Sequence, residues 1–331
     1  MNRKGAFVYI GIFALSTPLY FLMLKNSSSL LLLSLNFALG IYLVVKGSDY
    51  FVEGAASIAA HKGISEHTIG LTLVALATSL PELAVSVNAS FVHHPITAWG
   101  NVVGSNVANI GLVLGAAAIL MPLHLSKHVK KDAGVLLIVT GLLILFSALF
   151  PSLYWWMGLV FLIIYILYLW EIKGRKEPVE EVEIEHSWLF SWILTVFGAA
   201  GVSWGGRIIV YSAVNIAHVL NIGEIVIAVT AVAIGTSLPE FATSVAAAIK
   251  KKYGIAVGNV IGSNIFNTLV VLGASSLIMP ISIPTHELWK NIMFLSAYTL
   301  LLSIFCLRKK IGKLEGFALL ILYPIYIFFI I

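Results

Sequence analysis

The sequence predicts an all-α membrane protein assembled from two copies of one unit. Three observations carry that prediction: the balance of apolar to charged residues, the spacing of the apolar runs, and a doubled motif. Of 331 residues, 60% are hydrophobic and 11% charged, against about 25% charged in a soluble domain. A chain so poor in charge could not cover a water-facing surface. Its charges cluster between apolar runs close to the ~20 residues a helix needs to cross a bilayer.

The apolar runs fall at 5–24, 30–47, 68–91, 100–122, 133–150, 153–170, 187–206, 224–249, 255–280, 288–307 and 313–331, eleven spans in all. Helices are expected, because a helix satisfies its own backbone hydrogen bonds in lipid. The period-2 alternation of a barrel is absent. The first span, after Arg3 and Lys4, resembles a signal peptide. It is long for one and has no small-residue cleavage site, so a retained transmembrane helix is expected.

Charge orients the spans. With Arg3 and Lys4 in the cytoplasm, the cytoplasmic loops receive Lys62, Lys127, Lys130, Lys131, Lys173, Arg175, Lys176, Lys250, Lys251, Lys252, Arg308, Lys309, Lys310 and Lys313. The outer side keeps only Lys25, Arg207 and Lys290. This positive-inside bias places the amino terminus in the cytoplasm and the carboxyl terminus outside. The net charge of +5 is spread over these short segments, so it sets topology and does not imply nucleic acid. The single cysteine, Cys306, allows no internal disulfide. Glu171 to Ser187 reads as a solvated linker. Its glutamates, Glu177, Glu180, Glu181, Glu183 and Glu185, lack the Asp/Asn/Gly turn of a regulatory Ca2+ loop.

The doubled motif decides the architecture. Residues 71–82 read LTLVALATSLPE and residues 229–240 read VTAVAIGTSLPE, identical at eight of twelve positions. Residues 100–109 read GNVVGSNVAN and residues 258–267 read GNVIGSNIFN, identical at seven of ten. Both pairs are offset by 158 residues. A helix and its counterpart lie five spans apart, an odd number, so the copies cross the membrane in opposite senses. Inverted repeats are a recurrent plan for secondary transporters, with the substrate at the repeat interface near mid-membrane.

Of fifteen acidic residues, only Glu82 and Glu240 sit deep in apolar spans, at matching positions. An intramembrane acid is costly and marks function by default. Pro81 and Pro239 precede them and leave the carbonyls of Ala77 and Gly235 without a helical donor. Thr78 with Ser79, and Thr236 with Ser237, add hydroxyl oxygens to the same turns. Ser105 and Asn109 are four apart and share a helix face, as do Ser263 and Asn267. Gly100 with Gly104, and Gly258 with Gly262, have the spacing that lets helices approach closely. Such a site holds two carboxylates, hydroxyls, amides and carbonyls, with no thiolate or imidazole. All-oxygen ligation suits a hard cation, above all Ca2+. Two carboxylates balance one Ca2+, and several Na+ could occupy the same oxygens.

At these residues the chain resembles the cation/Ca2+ exchanger superfamily, in its prokaryotic Na+/Ca2+ exchanger branch. The resemblance begins near residue 30. It implies a ten-helix core of two inverted five-helix repeats, 30–170 and 187–331. Residues 1–29 would then be an additional transmembrane helix and 171–186 a cytoplasmic linker. It also implies ion sites at Thr78, Ser79, Glu82, Ser105, Asn109, Thr236, Ser237, Glu240, Ser263 and Asn267, with backbone carbonyls at Ala75 and Ala233. The spans at 68–91, 100–122, 224–249 and 255–280 would form the core, and those at 30–47 and 187–206 would slide across it. Many members carry Asp where this chain has Asn267, so the site here is one potential acid poorer, which weighs against K+ cotransport. The expected function is Ca2+/Na+ antiport across the cell membrane, with the ions and the lipid bilayer as partners and no cofactor. The alternatives are a Ca2+/H+ antiporter, a cation channel, and an intramembrane hydrolase using Ser79 or Ser237. The hydrolase lacks a general base, since all nine histidines lie in loops or near span ends.

Overall fold

The computed structural model describes residues 3–24, 29–175, 186–220, 237–282 and 287–330. Helices dominate: α1 (Arg3–Leu24), α2 (Leu30–Lys62), α3 (Glu66–Thr78), α4 (Leu80–Phe91), α5 (Ile96–Leu120) and α6 (Val129–Leu149). They continue as α7 (Trp155–Lys173), α8 (Trp188–Val219), α9 (Leu238–Ile249), α10 (Tyr253–Ile278), α11 (Glu287–Phe305) and α12 (Lys313–Ile330). By length and composition α2, α5, α6, α7, α8 and α10 can each cross a membrane, and the bent pair α3–α4 makes a seventh candidate among the described residues.

Local chemistry sets several boundaries. The Ser29 side chain caps α2 at its start. Gly63 closes α2 with φ 62°, the left-handed conformation glycine adopts without strain. Ser65 then accepts from the Thr68 amide at 3.0 Å and opens α3.

The second and seventh spans run longer than their apolar stretches predict. α2 has 33 residues and α8 has 32. Hydropathy drops at Lys46, Asp49 and Glu53, yet α2 continues because these charges are paired. Glu53 meets the His186 ring at 2.6 Å and Lys250 at 3.6 Å, and Asp49 meets Lys250 at 3.5 Å. Arg207 is exposed and lets α8 continue.

α2 and α8 pack antiparallel along a glycine seam. A Cβ on Gly54 would lie 2.6 Å from the Thr195 amide, one on Gly198 2.5 Å from the Phe51 amide, and one on Gly205 2.8 Å from the Gly40 carbonyl. α1 rests on this pair. The Tyr9 hydroxyl donates to the carbonyls of Leu43 and Phe197, at 3.4 Å each, in the notch left by Gly201.

The centre of the bundle is α10, whose most apolar window is 94% buried, with α5 at 78%. Gly254, Gly258 and Gly262 bring α10 against the α3 backbone. A Cβ on Gly262 would sit 2.5 Å from the Leu71 carbonyl. Two short antiparallel pairs tie the loops: β1 (Leu123–His124) with β4 (Lys310–Ile311), and β2 (Ser152–Leu153) with β3 (Ile281–Ser282).

Candidate ion-binding site

The site starts at a break in the chain. α3 ends at Thr78, Ser79 leaves helical geometry at φ −91°, ψ 6°, and α4 begins at Leu80 with its axis bent by 45°. Pro81 falls in the first turn of α4, where its missing N–H costs nothing. The proline therefore starts a helix here and does not kink a continuous one. Ser237, at φ −85°, ψ 2°, repeats the geometry, and Pro239 opens α9. The break places Glu82 and Glu240 in the first turns of α4 and α9, whose N-terminal ends favour negative charge.

α5 and α10 supply the amides. Asn109 begins a π-helical stretch over Asn109–Leu114, and Asn267 begins one over Asn267–Val271. Such widened turns recur at functional sites. Thr78, Ser79, Glu82, Ser105, Asn109, Ser237, Glu240, Ser263 and Asn267 are all buried, none more than 3% exposed. Ala75 is buried too, and its carbonyl accepts from the Ser79 amide at 3.0 Å and the Thr78 hydroxyl at 3.3 Å. Ala233 and Thr236 lie outside the described residues, as does Gly235.

Hydrogen bonds join the first half of the chain to the second. The Ser79 hydroxyl donates to Glu240 Oε1 at 2.9 Å. The Thr78 hydroxyl donates to Asn259 Oδ1 at 3.0 Å and lies 3.4 Å from Ser263 Oγ. Neither acid forms an ion pair among the described residues, whose salt bridges involve other groups.

What the network leaves open is oxygen. Both carboxylate oxygens of Glu82, Oε2 of Glu240, Oδ1 of Asn109 and of Asn267, and the hydroxyls of Ser105, Ser237 and Thr243 are buried without a hydrogen-bond partner among the described residues. No nitrogen of these residues is left open. Buried polar atoms are ordinarily satisfied. The carboxylate and amide oxygens of this set accept only, the three hydroxyls can also accept, and a cation would fill them together. No group of three or more His, Cys, Asp or Glu side chains suited to a metal occurs among the described residues. The oxygens here come mostly from neutral side chains, and oxygen-only donors suit a hard cation.

Several members of this network were not singled out from the sequence. Asn101 donates to Ser86 Oγ at 2.9 Å, and Asn259 donates to Ser244 Oγ at 2.9 Å. Asn106 and Asn264 link α5 to α10. The signal was present, because each asparagine recurs at the same place in both copies of the motif. A second cluster gave no such signal. Asp132 in the first turn of α6 is fully buried and accepts from Arg175 at 2.6 and 2.9 Å, from His67 at 2.8 Å and from the Tyr168 hydroxyl at 2.9 Å. It joins the start of α3 to the end of α7.

Membrane-length helices packed around a buried cluster of open oxygens define a polytopic membrane protein with a polar interior. The sodium/calcium exchanger protein family profile matches residues 32–172 and 190–331. Sodium/calcium exchanger MaX1 of Methanosarcina acetivorans is 33% identical over 334 residues, covering 87% of this chain and 95% of its own. An uncharacterised membrane protein of Methanocaldococcus jannaschii is 40% identical over 296 residues, covering 88% and 95%. A solved structure of the sodium-calcium exchanger NCX_Mj, soaked with 10 mM Na+ and zero Ca2+, matches with a TM-score of 0.80 at 38% identity, over 90% of this chain and 99% of that one. The chain belongs to the sodium/calcium exchanger protein family, and so to the transporters rather than the enzymes.

Proposed function

We propose that this protein is a secondary antiporter that exchanges Ca2+ for Na+ across the cell membrane by alternating access. The observation that carries the reading is the set of open, buried oxygens contributed by both halves of the chain. Glu82 and Glu240 are the central ligands. Thr78, Ser79, Ser105, Asn109, Ser237, Ser263 and Asn267 surround them, and the family resemblance adds Ala75, Ala233 and Thr236.

The two halves, 30–170 and 187–331, act as inverted repeats, with 1–29 an additional helix and 171–186 a cytoplasmic linker. Matched contacts support this. The Asn101–Ser86 bond recurs as Asn259–Ser244, both at an offset of 158 residues. The β1–β4 and β2–β3 pairs exchange loops in the reciprocal way. α2 and α8, packed on each other through glycine, are the pair that slides. The amino terminus and linker face the cytoplasm and the carboxyl terminus faces outward. Cysteines placed at 180 and 331 should therefore label from opposite sides, and equal external labelling would overturn the orientation.

The deciding experiment is 45Ca2+ uptake into Na+-loaded proteoliposomes, with external Na+, K+ and pH varied independently. Uptake should require an outward Na+ gradient. Uptake driven by a proton gradient without Na+ would instead identify a Ca2+/H+ antiporter. Uptake that needs no counter-ion gradient would identify a channel.

A further inference from the structure

The open oxygens of Asn109 and Asn267 raise a question of orientation. An amide has an oxygen edge and a nitrogen edge of nearly the same shape. Only the oxygen edge can bind a cation, so something must hold each amide the right way round.

Two further asparagines do this, and backbone carbonyls fix their own orientation. Asn264 Nδ2 lies 3.2 Å from the Asn106 main-chain carbonyl, and Asn106 Nδ2 lies 3.3 Å from the Asn264 main-chain carbonyl. A carbonyl oxygen accepts and never donates, so in each side chain the nitrogen must face it. Asn106 is held a second time: its Nδ2 donates to Thr268 Oγ1 at 2.9 Å, whose own proton goes to the Asn264 carbonyl at 2.9 Å. With both nitrogens committed, the side-chain oxygens of Asn106 and Asn264 must point the other way. Asn264 Oδ1 receives Asn109 Nδ2 at 3.1 Å, and Asn106 Oδ1 receives Asn267 Nδ2 at 3.2 Å. The Oδ1 atoms of Asn109 and Asn267 are the ones left without a partner among the described residues. All four side chains are buried, so water cannot substitute for a lost partner without entering the core.

We infer that Asn106 and Asn264 are positioning residues, which hold the amide nitrogens of Asn267 and Asn109 and so present two side-chain oxygens to the transported ion. Each works across the α5–α10 contact on the ligand of the opposite half. The arrangement also accounts for a neutral amide at 267. An aspartate there would set a carboxylate oxygen against Asn106 Oδ1, acceptor against acceptor.

The inference rests on the Ca2+/Na+ reading of the same site, and its test is a rescue. Asn106→Ala frees the Asn267 amide to turn, and the apparent KM for Ca2+ in 45Ca2+ uptake should rise about tenfold or more, the range for losing an outer partner of a metal ligand. A carboxylate presents oxygen at both edges and needs no orienting partner. Asn267→Asp added to Asn106→Ala should therefore bring the KM back to within about threefold of the parent, a strongly non-additive pair. Asn109→Asp should not rescue Asn106→Ala, because Asn109 is held by Asn264. The mirror set should behave alike: Asn264→Ala is rescued by Asn109→Asp and not by Asn267→Asp. Serine variants at 106 and 264 serve where alanine does not yield folded protein, and the pair-specific rescue is read in the same way.

A purely structural role for Asn106 and Asn264 predicts no rescue, and added charge alone predicts equal rescue by either aspartate. Both outcomes overturn the inference while the parent protein still transports. A parent protein inactive in Na+-driven Ca2+ uptake would overturn the functional reading as well.

Discussion

Among the described residues neither carboxylate oxygen of the buried Glu82 is hydrogen-bonded, whereas Glu240, its counterpart, accepts from the Ser79 hydroxyl. Two acids equivalent in sequence are thus inequivalent in this conformation. An ionised carboxylate in so dry a site is sustained only by a cation or exchanged for its protonated form. Glutamine at either position keeps the shape and removes the charge that balances Ca2+. Glu82→Gln and Glu240→Gln should each reduce 45Ca2+ uptake by more than the ~100-fold upper end for outer-shell substitutions, while leaving the purified protein monodisperse. Normal uptake by both single variants would sink the assignment. The acids were legible in the sequence because charge is rare in apolar spans and because the repeat printed each one twice. Asn106 and Asn264 were printed twice as well, but their role depends on which carbonyl faces them across α5 and α10. A linear sequence does not contain that contact.

At the scale of elements, the apolar runs located most helices but misjudged two kinds of boundary. The run at 68–91 is continuous in hydropathy, yet the chain breaks at Ser79 into α3 and α4, because Pro81 is best accommodated in a new first turn. The run at 30–47 stopped at charges that α2 carries past by pairing them with His186 and Lys250. Glycine spacing suggested close approach at Gly100, Gly104, Gly258 and Gly262; the second pair packs on the α3 backbone, but a Cβ on Gly100 would meet nothing within 4 Å and one on Gly104 only the Tyr326 hydroxyl at 3.8 Å. Gly198, which the spacing did not single out, lies against α2, where a Cβ would meet Phe51 and Gly47 main-chain atoms at 2.5 and 2.8 Å. Backbone cannot yield as a side chain can. Gly198→Val should lower thermal stability by about 1–3 kcal/mol from overpacking, and slow exchange if α2 and α8 move together. A thermal scan together with initial uptake rates separates the two effects. The Asp132 cluster makes a different demand. Arg175→Met would leave a fully buried carboxylate without its guanidinium, whose side chain is itself only 4% exposed. Breaking one side of a buried ion pair costs about 3–5 kcal/mol, so this variant should unfold in detergent far below the parent. An unchanged melting temperature would show that His67 and Tyr168 suffice to hold Asp132.

For the whole molecule, the loop pairings have the parity of crossings that the span count expects. β1 and β4 must share one side of the membrane because they hydrogen-bond, as must β2 and β3. Between β2 and β3 the predicted crossings are α7, α8, the span ending in α9, and α10. Four predicted crossings are an even number, as that pairing requires. Glu82 and Glu240 supply about two negative charges when ionised, and one Ca2+ leaves the site near neutral. More than two Na+ in its place leave an excess positive charge, and the membrane potential acts on that state by about 2.3 kcal/mol per charge per 100 mV for a full crossing. Asn109 and Asn267 contribute oxygen dipoles but no third carboxylate to hold an extra monovalent ion such as K+. A carboxamide does not titrate near neutral pH, so neither amide acquires charge by exchanging a proton. Ca2+ uptake driven by a Na+ gradient should therefore change rate when a valinomycin clamp changes the potential. At fixed potential it should proceed without K+ on either side. Voltage-insensitive uptake would contradict the charge count. Strict dependence on K+ would show that the amide at 267 does the work of an acid.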